Sequence, residues 1–450
     1  MHTAAHSLSI VEKANTLKTL AQDILQQAKA LGASEVETSL QITAGFDVKI
    51  RLGEVDTVSF NRDQEVAIEV YYGKRKGAAS SSDLSPESIA AAVKMACEIA
   101  QVTQEDPYSG LADAEDMATH YPDLDLYHHW DLDVPQAILL ATACEDYARA
   151  YDKKITNSEG ASLASHDAFS VYANSHGFIG AYPSSHHGLS CGVIAQQGQE
   201  MQRDYWYTNA CDAQKLQNGK EVGELAAQRT LEKLGSRRMS TGEVPVIFAA
   251  EVASSLLSNF IAAISGGNLY RHASFLCDHL NKKIFPKFVH IYEAPHIPGA
   301  LGSSPFDADG LATSAKDFIT EGILRSYVLS TYSARRLHLK STGNAGGVHN
   351  LMIDTSPLGL TELFKEMGRG LYVTDLMGQG VNLITGDYSR GVAGFWIEHG
   401  EIQFPIHEVT IAGNLREMFA SLVAIGNDID KRGNILTGSI WLDKMMVAGE

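Results

Sequence analysis

The sequence predicts an α+β chain, with an N-terminal helix and antiparallel-sheet region over residues 1–235 followed by a sheet-rich C-terminal domain over 240–450. Three observations carry this. Phe46, Val48, Ile50 and Leu52 alternate with Asp47, Lys49 and Arg51, and Gly53-Glu54 turns the chain into residues 55–60, the two-residue period of a hairpin with one wet face. Leu17, Leu20, Ile24, Ala28 and Leu31 recur at helical spacing, and Gly32 stands at the expected stop. Beyond the stretch 235–242, which joins Gly235-Ser236-Arg237-Arg238 to Ser240-Thr241-Gly242, amphipathic helices thin out and glycine-rich short strands take over.

Taken in order, the first helix covers one face of a sheet. After the hairpin, Val66, Ile68, Val70 and Tyr72 repeat the alternation and residues 73–77 turn. Ser85-Pro86-Glu87 then opens a second helix, with serine as N-cap and proline at the first helical position. Residues 1–102 thus form a sub-unit of helix, meander and helix. Residues 103–133 are acidic and irregular, an excursion or linker. The sub-unit 134–235 holds a helix over 135–151, a strand over 169–174, a turn at Ser175-His176-Gly177, a strand end at Ser184-Ser185 and a helix over 221–234. Its pattern echoes residues 66–82 too loosely to be read as a repeat. Past residue 260, short helices are expected near Leu360 and Leu415 only, and the connections are too short for parallel crossovers.

Composition narrows the function classes. Of 450 residues 44% are hydrophobic and 20% charged, which excludes a disordered chain. Lys and Arg number 36 against 54 Asp and Glu, a formal charge of −18 that repels nucleic-acid backbones and anionic membranes. Neither is an expected partner. The five cysteines are scattered without a CxxC pair, so a disulfide framework and a cysteine zinc site are not indicated and a reducing compartment fits. Met-His-Thr-Ala-Ala-His-Ser has no basic n-region, and the window 244–267 is broken by Pro245, Glu251 and Asn259. A cytoplasmic protein is expected.

Familiar catalytic motifs fail on context. No HExxH occurs; His407-Glu408 has Ile411 and Ala412 where a second ligand would stand, and it lies in a strand-like alternation. His272, Cys277 and His279 form only a loose cluster. Gly188-Leu189-Ser190-Cys191-Gly192 matches GxSxG, but Val193, Ile194 and Ala195 continue a strand, so no helix follows to build an oxyanion hole. The glycine-rich run at 343–350 lacks a phosphate-binding lysine. Two dense segments remain, 340–350 and 377–396. Asn344, His349, Asp387, Tyr388, Ser389 and Arg390 are their substrate-cavity candidates, either as a peptide groove or as tight turns and bulges with Asp387 and Arg390 paired internally.

The runs Lys340-Ser341-Thr342-Gly343-Asn344-Ala345-Gly346-Gly347-Val348-His349-Asn350, Leu376-Met377-Gly378-Gln379-Gly380 and Gly386-Asp387-Tyr388-Ser389-Arg390-Gly391 resemble the TldD/PmbA peptidase family. So do Arg75-Lys76-Gly77-Ala78-Ala79-Ser80-Ser81-Ser82 and Ile155-Thr156-Asn157-Ser158-Glu159-Gly160, so the likeness runs end to end. The resemblance implies a cytoplasmic zinc-dependent peptidase complex that trims unfolded peptides, including microcin-type precursors and an antitoxin, with an early link to DNA gyrase. It implies a TldD-like catalytic subunit as heterodimer partner, with a homodimer for the isolated chain, and in that subunit an HExxxH helix after a strand and a late cysteine ligand. Here Ala250 and Ser255 stand where the histidines would be and Glu251 alone remains. No Cys follows Cys277 and no His follows His407. Alanine has no lone pair and serine is a poor zinc ligand, so no metal and no catalytic residue is expected in this chain, and zinc is expected in the partner. The alternatives are an autonomous hydrolase using His349, Asp387 and Ser389, or a binding protein that modulates gyrase or a toxin-antitoxin system.

Overall fold

The computed structural model describes residues 9–449, with side chains from residue 14 onward; the N-terminal stretch read above for an export signal lies outside them. The chain begins with α1 (Ser9–Ala30), β1 (Glu35–Arg51), β2 (Glu54–Tyr72), β3 (Arg75–Ser81) and α2 (Pro86–Val102). After the linker come α3 (Val134–Ala150), β4 (Ile155–Asn174), β5 (Ile179–Gln197), β6 (Glu200–Ala210) and α4 (Gly219–Glu232). The same order, helix, three strands, helix, thus occurs twice. This corrects the sequence reading, which found no repeat: what the two halves share is the order of their elements and their mirrored places in the sheet. The six strands form one antiparallel sheet in the palindromic order β3-β2-β1-β4-β5-β6.

The strands are longer than expected. Residues 55–60 and 66–72 belong to the single strand β2, β1 starts well before Phe46, and Ser184-Ser185 lies inside β5 rather than ending it. The polar run Asn61 to Glu65 hid this continuity, because it is largely exposed and carries no inside-outside alternation. The turn before β3 is only Gly73-Lys74. Helix signals were faithful: the Ser85 side chain accepts from the Ser88 amide, and Gly32 adopts φ 95° after α1.

All four helices lie on one face of the sheet. Leu40, Ile42, Val66 and Ile68 pack with Ile24, Ala28 and Val93, whereas Val48, Ile50, Leu163 and Cys191 pack with Ala141, Cys144 and Ala226. Two glycines permit the closest approaches: a Cβ on Gly77 would lie 2.1 Å from the Ala96 carbonyl of α2, and one on Gly223 2.3 Å from the Cys144 carbonyl of α3. The linker has no regular element beyond a three-residue 3-10 turn, but it is tied down. Arg335 donates to the carbonyls of Gly110 and Leu111, and the Ser185 amide to that of Leu126.

The C-terminal part continues with β7 (Gly242–Phe248), α5 (Ala250–Ala263), α6 (Gly266–Tyr270), β8 (Ile291–Glu293), β9 (Lys316–Thr320) and β10 (Ile323–Leu324). Then follow α7 (Thr331–Arg336), β11 (Leu351–Ile353), α8 (Leu360–Met367), β12 (Arg369–Met377), β13 (Asp387–Glu398) and β14 (Glu401–Asn414). The last elements are α9 (Leu415–Ala420), β15 (Leu422–Ile425), β16 (Ile435–Leu436) and β17 (Ile440–Ala448). The expected short helices are α8 and α9; α6 and α7, of five and six residues, were not anticipated. One sheet runs β14-β13-β12-β7-β17-β15, parallel only between β7 and β12, and a smaller sheet runs β10-β9-β8-β11-β16. The largest core lies around α5, where Leu256, Leu257 and Phe260 meet Phe285, Phe318 and Phe419. No helix among the described residues is long and apolar enough to cross a membrane.

Two measurements test this packing. Ile68 is fully buried, so Ile68→Ala should cost about 2–5 kcal/mol in urea unfolding through lost burial and the cavity left behind. His290 bonds Asp354 through Nδ1 and Asp317 through Nε2, each at 2.9 Å. Burial lowers its pKa, but those two carboxylates outweigh it and hold the imidazole above its ordinary value. A raised folded-state pKa stabilises fully below the unfolded value and the gain disappears as pH rises through the folded one. The stability gap between the chain and its His290→Gln variant should therefore be widest below about pH 6.5 and narrow on the alkaline side.

Candidate functional site

β7 runs straight into α5, and this strand-to-helix step sets Glu251 in the first turn of the helix, where the positive end of the helix dipole favours a carboxylate. Ala250 is buried beside it, and the Ser255 hydroxyl donates to the Val252 carbonyl at 2.7 Å. Facing Glu251 is Arg229 of α4. Its Nη1 donates to Glu251 Oε1 at 2.7 Å and its Nε to Asp204 Oδ2 at 3.1 Å. One turn on, Lys233 lies 2.9 Å from both Asp204 Oδ2 and Asp375 Oδ1. Three carboxylates and two cations thus join the N-terminal sheet, α4, α5 and β12.

The network is half-sheltered, and the Asp204 side chain is only 3% exposed. Burial disfavours charge on Arg229, but Asp204 and Glu251 together hold its guanidinium above the ordinary arginine value. Around it opens a cleft of about 580 Å³ between β6 and α4 on one side and α5, β12, β13 and β14 on the other. Its aromatic wall is Tyr205, Trp206 and Tyr207. Arg432 stacks over Trp206 at 3.9 Å and over Tyr207 at 4.4 Å, and is held there by Asp430 at 2.8 Å. The Trp206 indole N–H donates to Gln217 at 2.8 Å.

A zinc ion does not fit these residues. Ala250 offers no donor, the Ser255 hydroxyl is turned into its own helix, and the Glu251 oxygen is taken by a guanidinium. Among the described residues no three His, Cys, Asp or Glu side chains are grouped to hold a metal. Cys277 and His279 bond backbone carbonyls instead. Ser190 lies within β5, in extended backbone, with no helix behind it.

The structure separates the other sequence candidates. Arg390 lines the cleft with Glu251 and Ser255, and its Nε donates to the Met377 carbonyl at 3.2 Å. Asp387, at the exposed start of β13, accepts from Thr385 at 2.7 Å and Asn414 at 3.2 Å, so it does not pair with Arg390. Ser389 is exposed on the same strand, whereas Tyr388 is 1% exposed in the core, with its hydroxyl unpartnered and its pKa pushed up to about 12 by burial. Asn344 and His349 sit at the smaller sheet. There the buried Glu293 accepts from Asn344 Nδ2 at 2.9 Å, from the His349 amide at 2.8 Å and from Lys316 at 2.6 Å. Burial lowers the His349 pKa.

Arg229, Lys233, Asp204, Asp375, Trp206 and Arg432 escaped the sequence reading. The signal available was Arg229 in the last turn of α4 and Lys233, four residues on, at its C-cap, with Arg229 next to buried Ala226 and Thr230 rather than opposite them.

Comparison with known proteins agrees with this architecture. The chain matches PmbA/TldA metallopeptidase domain 1 over residues 36–100, the central domain over 127–234 and the C-terminal domain over 241–449. It is 46% identical over 449 residues to the metalloprotease PmbA of Escherichia coli O157:H7, covering 99% of this chain and 100% of that one. It is also 46% identical over 426 residues to a metalloprotease PmbA homolog of Haemophilus influenzae, covering 94% of each. A crystal structure from Bacteroides thetaiotaomicron, named as a candidate modulator of DNA gyrase, superposes with a TM-score of 0.92 at 27% identity over 97% of this chain and 100% of that one. TldE from Thermococcus kodakarensis shares the fold, with a TM-score of 0.84 at 20% identity over 96% of this chain and 100% of that one. Matched in all three domains and nearly half identical along its length to PmbA, the chain belongs to the PmbA/TldD metallopeptidase family.

Proposed function

We propose that this chain is the non-catalytic subunit of a zinc-dependent peptidase complex, paired in the cytoplasm as a heterodimer with a TldD-like subunit that carries the metal. Its substrates are unfolded peptides, microcin-type precursors among them. One observation carries the reading: of the family's metal motif only Glu251 remains, and Arg229 neutralises it at 2.7 Å. The full architecture persists around a site whose donors have gone, which is what a subunit contributing surface and shape retains. The cleft, with its aromatic wall and Arg390, supplies the chamber side of that role. The autonomous-hydrolase alternative loses support, because Asp387, Ser389 and His349 do not converge.

The test uses the purified chain alone and together with a co-expressed TldD-like subunit, with metal analysis and cleavage of an unfolded peptide as readouts. Substoichiometric zinc and no cleavage are expected alone, and both gains with the partner; stoichiometric zinc and turnover from the chain alone would overturn the proposal. Ala250→His with Ser255→His should bring little activity, since a third ligand is missing and Arg229 still occupies Glu251. Arg229→Gln leaves Glu251 and half of Asp204 uncompensated, and should cost about 1–3 kcal/mol in urea unfolding. Most of that loss should vanish in the Glu251→Gln background.

A further inference from the structure

The two halves of the N-terminal sheet close the same kind of edge differently. In each half the long second strand is paired along its length on one side, but only along its second part on the other. β5 pairs with β6 from His187 onward, and β2 pairs with β3 from Val66 onward. In the second half, the open stretch 179–186 is closed by the linker. The Ser185 amide donates to the Leu126 carbonyl at 2.9 Å, the Ala181 amide to the Tyr121 hydroxyl at 3.3 Å, and the His128 amide to Ser185 Oγ at 2.8 Å. In the first half nothing among the described residues takes that place. Residues 54–65 make backbone hydrogen bonds to β1 alone, and Phe60 is 73% and Val55 50% exposed.

A row of unpaired amides and carbonyls beside exposed apolar side chains is a template for an added strand. The charge of the edge says which kind. Glu54, Asp56, Asp63 and Glu65 are all exposed and outnumber Arg62, and among the described residues the one basic side chain paired with any of the four is Lys49, 3.7 Å from Asp56. A second copy laid on this edge would bring together two stretches that each carry four carboxylates against one arginine, a net like-charge seam that disfavours self-pairing. We propose that residues 54–65 of β2 are the seam for the partner subunit, which adds an extended segment carrying Lys or Arg opposite these carboxylates and an apolar side chain over Phe60. This rests on the partner reading above and gives it a location.

The test is hydrogen exchange on the full chain, alone and with the co-expressed TldD-like subunit. The amides of 54–65 should exchange about tenfold more slowly or better in the complex. A Phe60→Ser, Asp63→Lys, Glu65→Lys variant should keep the thermal midpoint of the chain and lose about tenfold or more in partner affinity. If the wild-type chain binds the partner while 54–65 stays unprotected, the seam is wrong and the partner reading stands. If the wild-type chain does not bind, both are wrong. Protection of 54–65 in the chain alone, growing with its concentration, would assign the edge to a second copy and overturn the proposal.

Discussion

The length of the central strands is the constraint from which the rest of the N-terminal architecture follows. β4 has 20 residues, which at ~3.3 Å per residue makes a ribbon about 65 Å long. α1, with 22 residues, reaches about 33 Å and α3, with 17, about 25 Å. No single helix pair can cover such a sheet, and an apolar face left wet over half its length is costly. Two pairs laid end to end on one face solve this. The duplicated order of helix, three strands and helix is the chain's way of supplying them, and the two separate cores beneath the pairs are its physical record. The same geometry carries β6 and α4 to the end of the sheet that meets the C-terminal part.

At that meeting place the chemistry is ionic rather than coordinative. A zinc ion in this position would need imidazoles, thiolates or carboxylates free to converge on one point, and the carboxylates here are already paired with cations. The chain sends a guanidinium across from α4, and this fixed cation compensates the charge of the partly buried Glu251 carboxylate. Arg229 suits the task because its planar fork bonds Glu251 and Asp204 at once, whereas the compact ammonium of Lys233 bridges Asp204 and Asp375. Five charges from four elements therefore neutralise one another to within one unit. A network of this kind ties the two parts of the chain together by geometry as much as by energy, since each partner is desolvated only where the other stands.

Much of the fold was legible because it rests on local signals. The Ser85 cap, the Gly53 turn and the stop at Gly32 are each set by neighbouring residues, and each stands where the spacing put it. That Ala250 and Ser255 are not zinc donors follows from residue type alone, because ligand chemistry depends on residue type before geometry. The continuity of β2 was not legible. Its middle is polar on both faces, and a strand wet on both sides has no period to read.

Residue type and spacing alone establish the α+β class, the longer N-terminal helices, the hairpin turn at Gly53 and the family likeness. The tertiary structure decided which charges meet. Arg229 and Glu251 are 22 residues apart, Lys233 and Asp375 142, and Tyr388, one residue from Asp387, is drawn into the core while its neighbour stays in water. Periodicity reports which face of its own element a residue occupies. It carries nothing about which distant element that face will be pressed against, and the ionic cleft exists only in that pressing together.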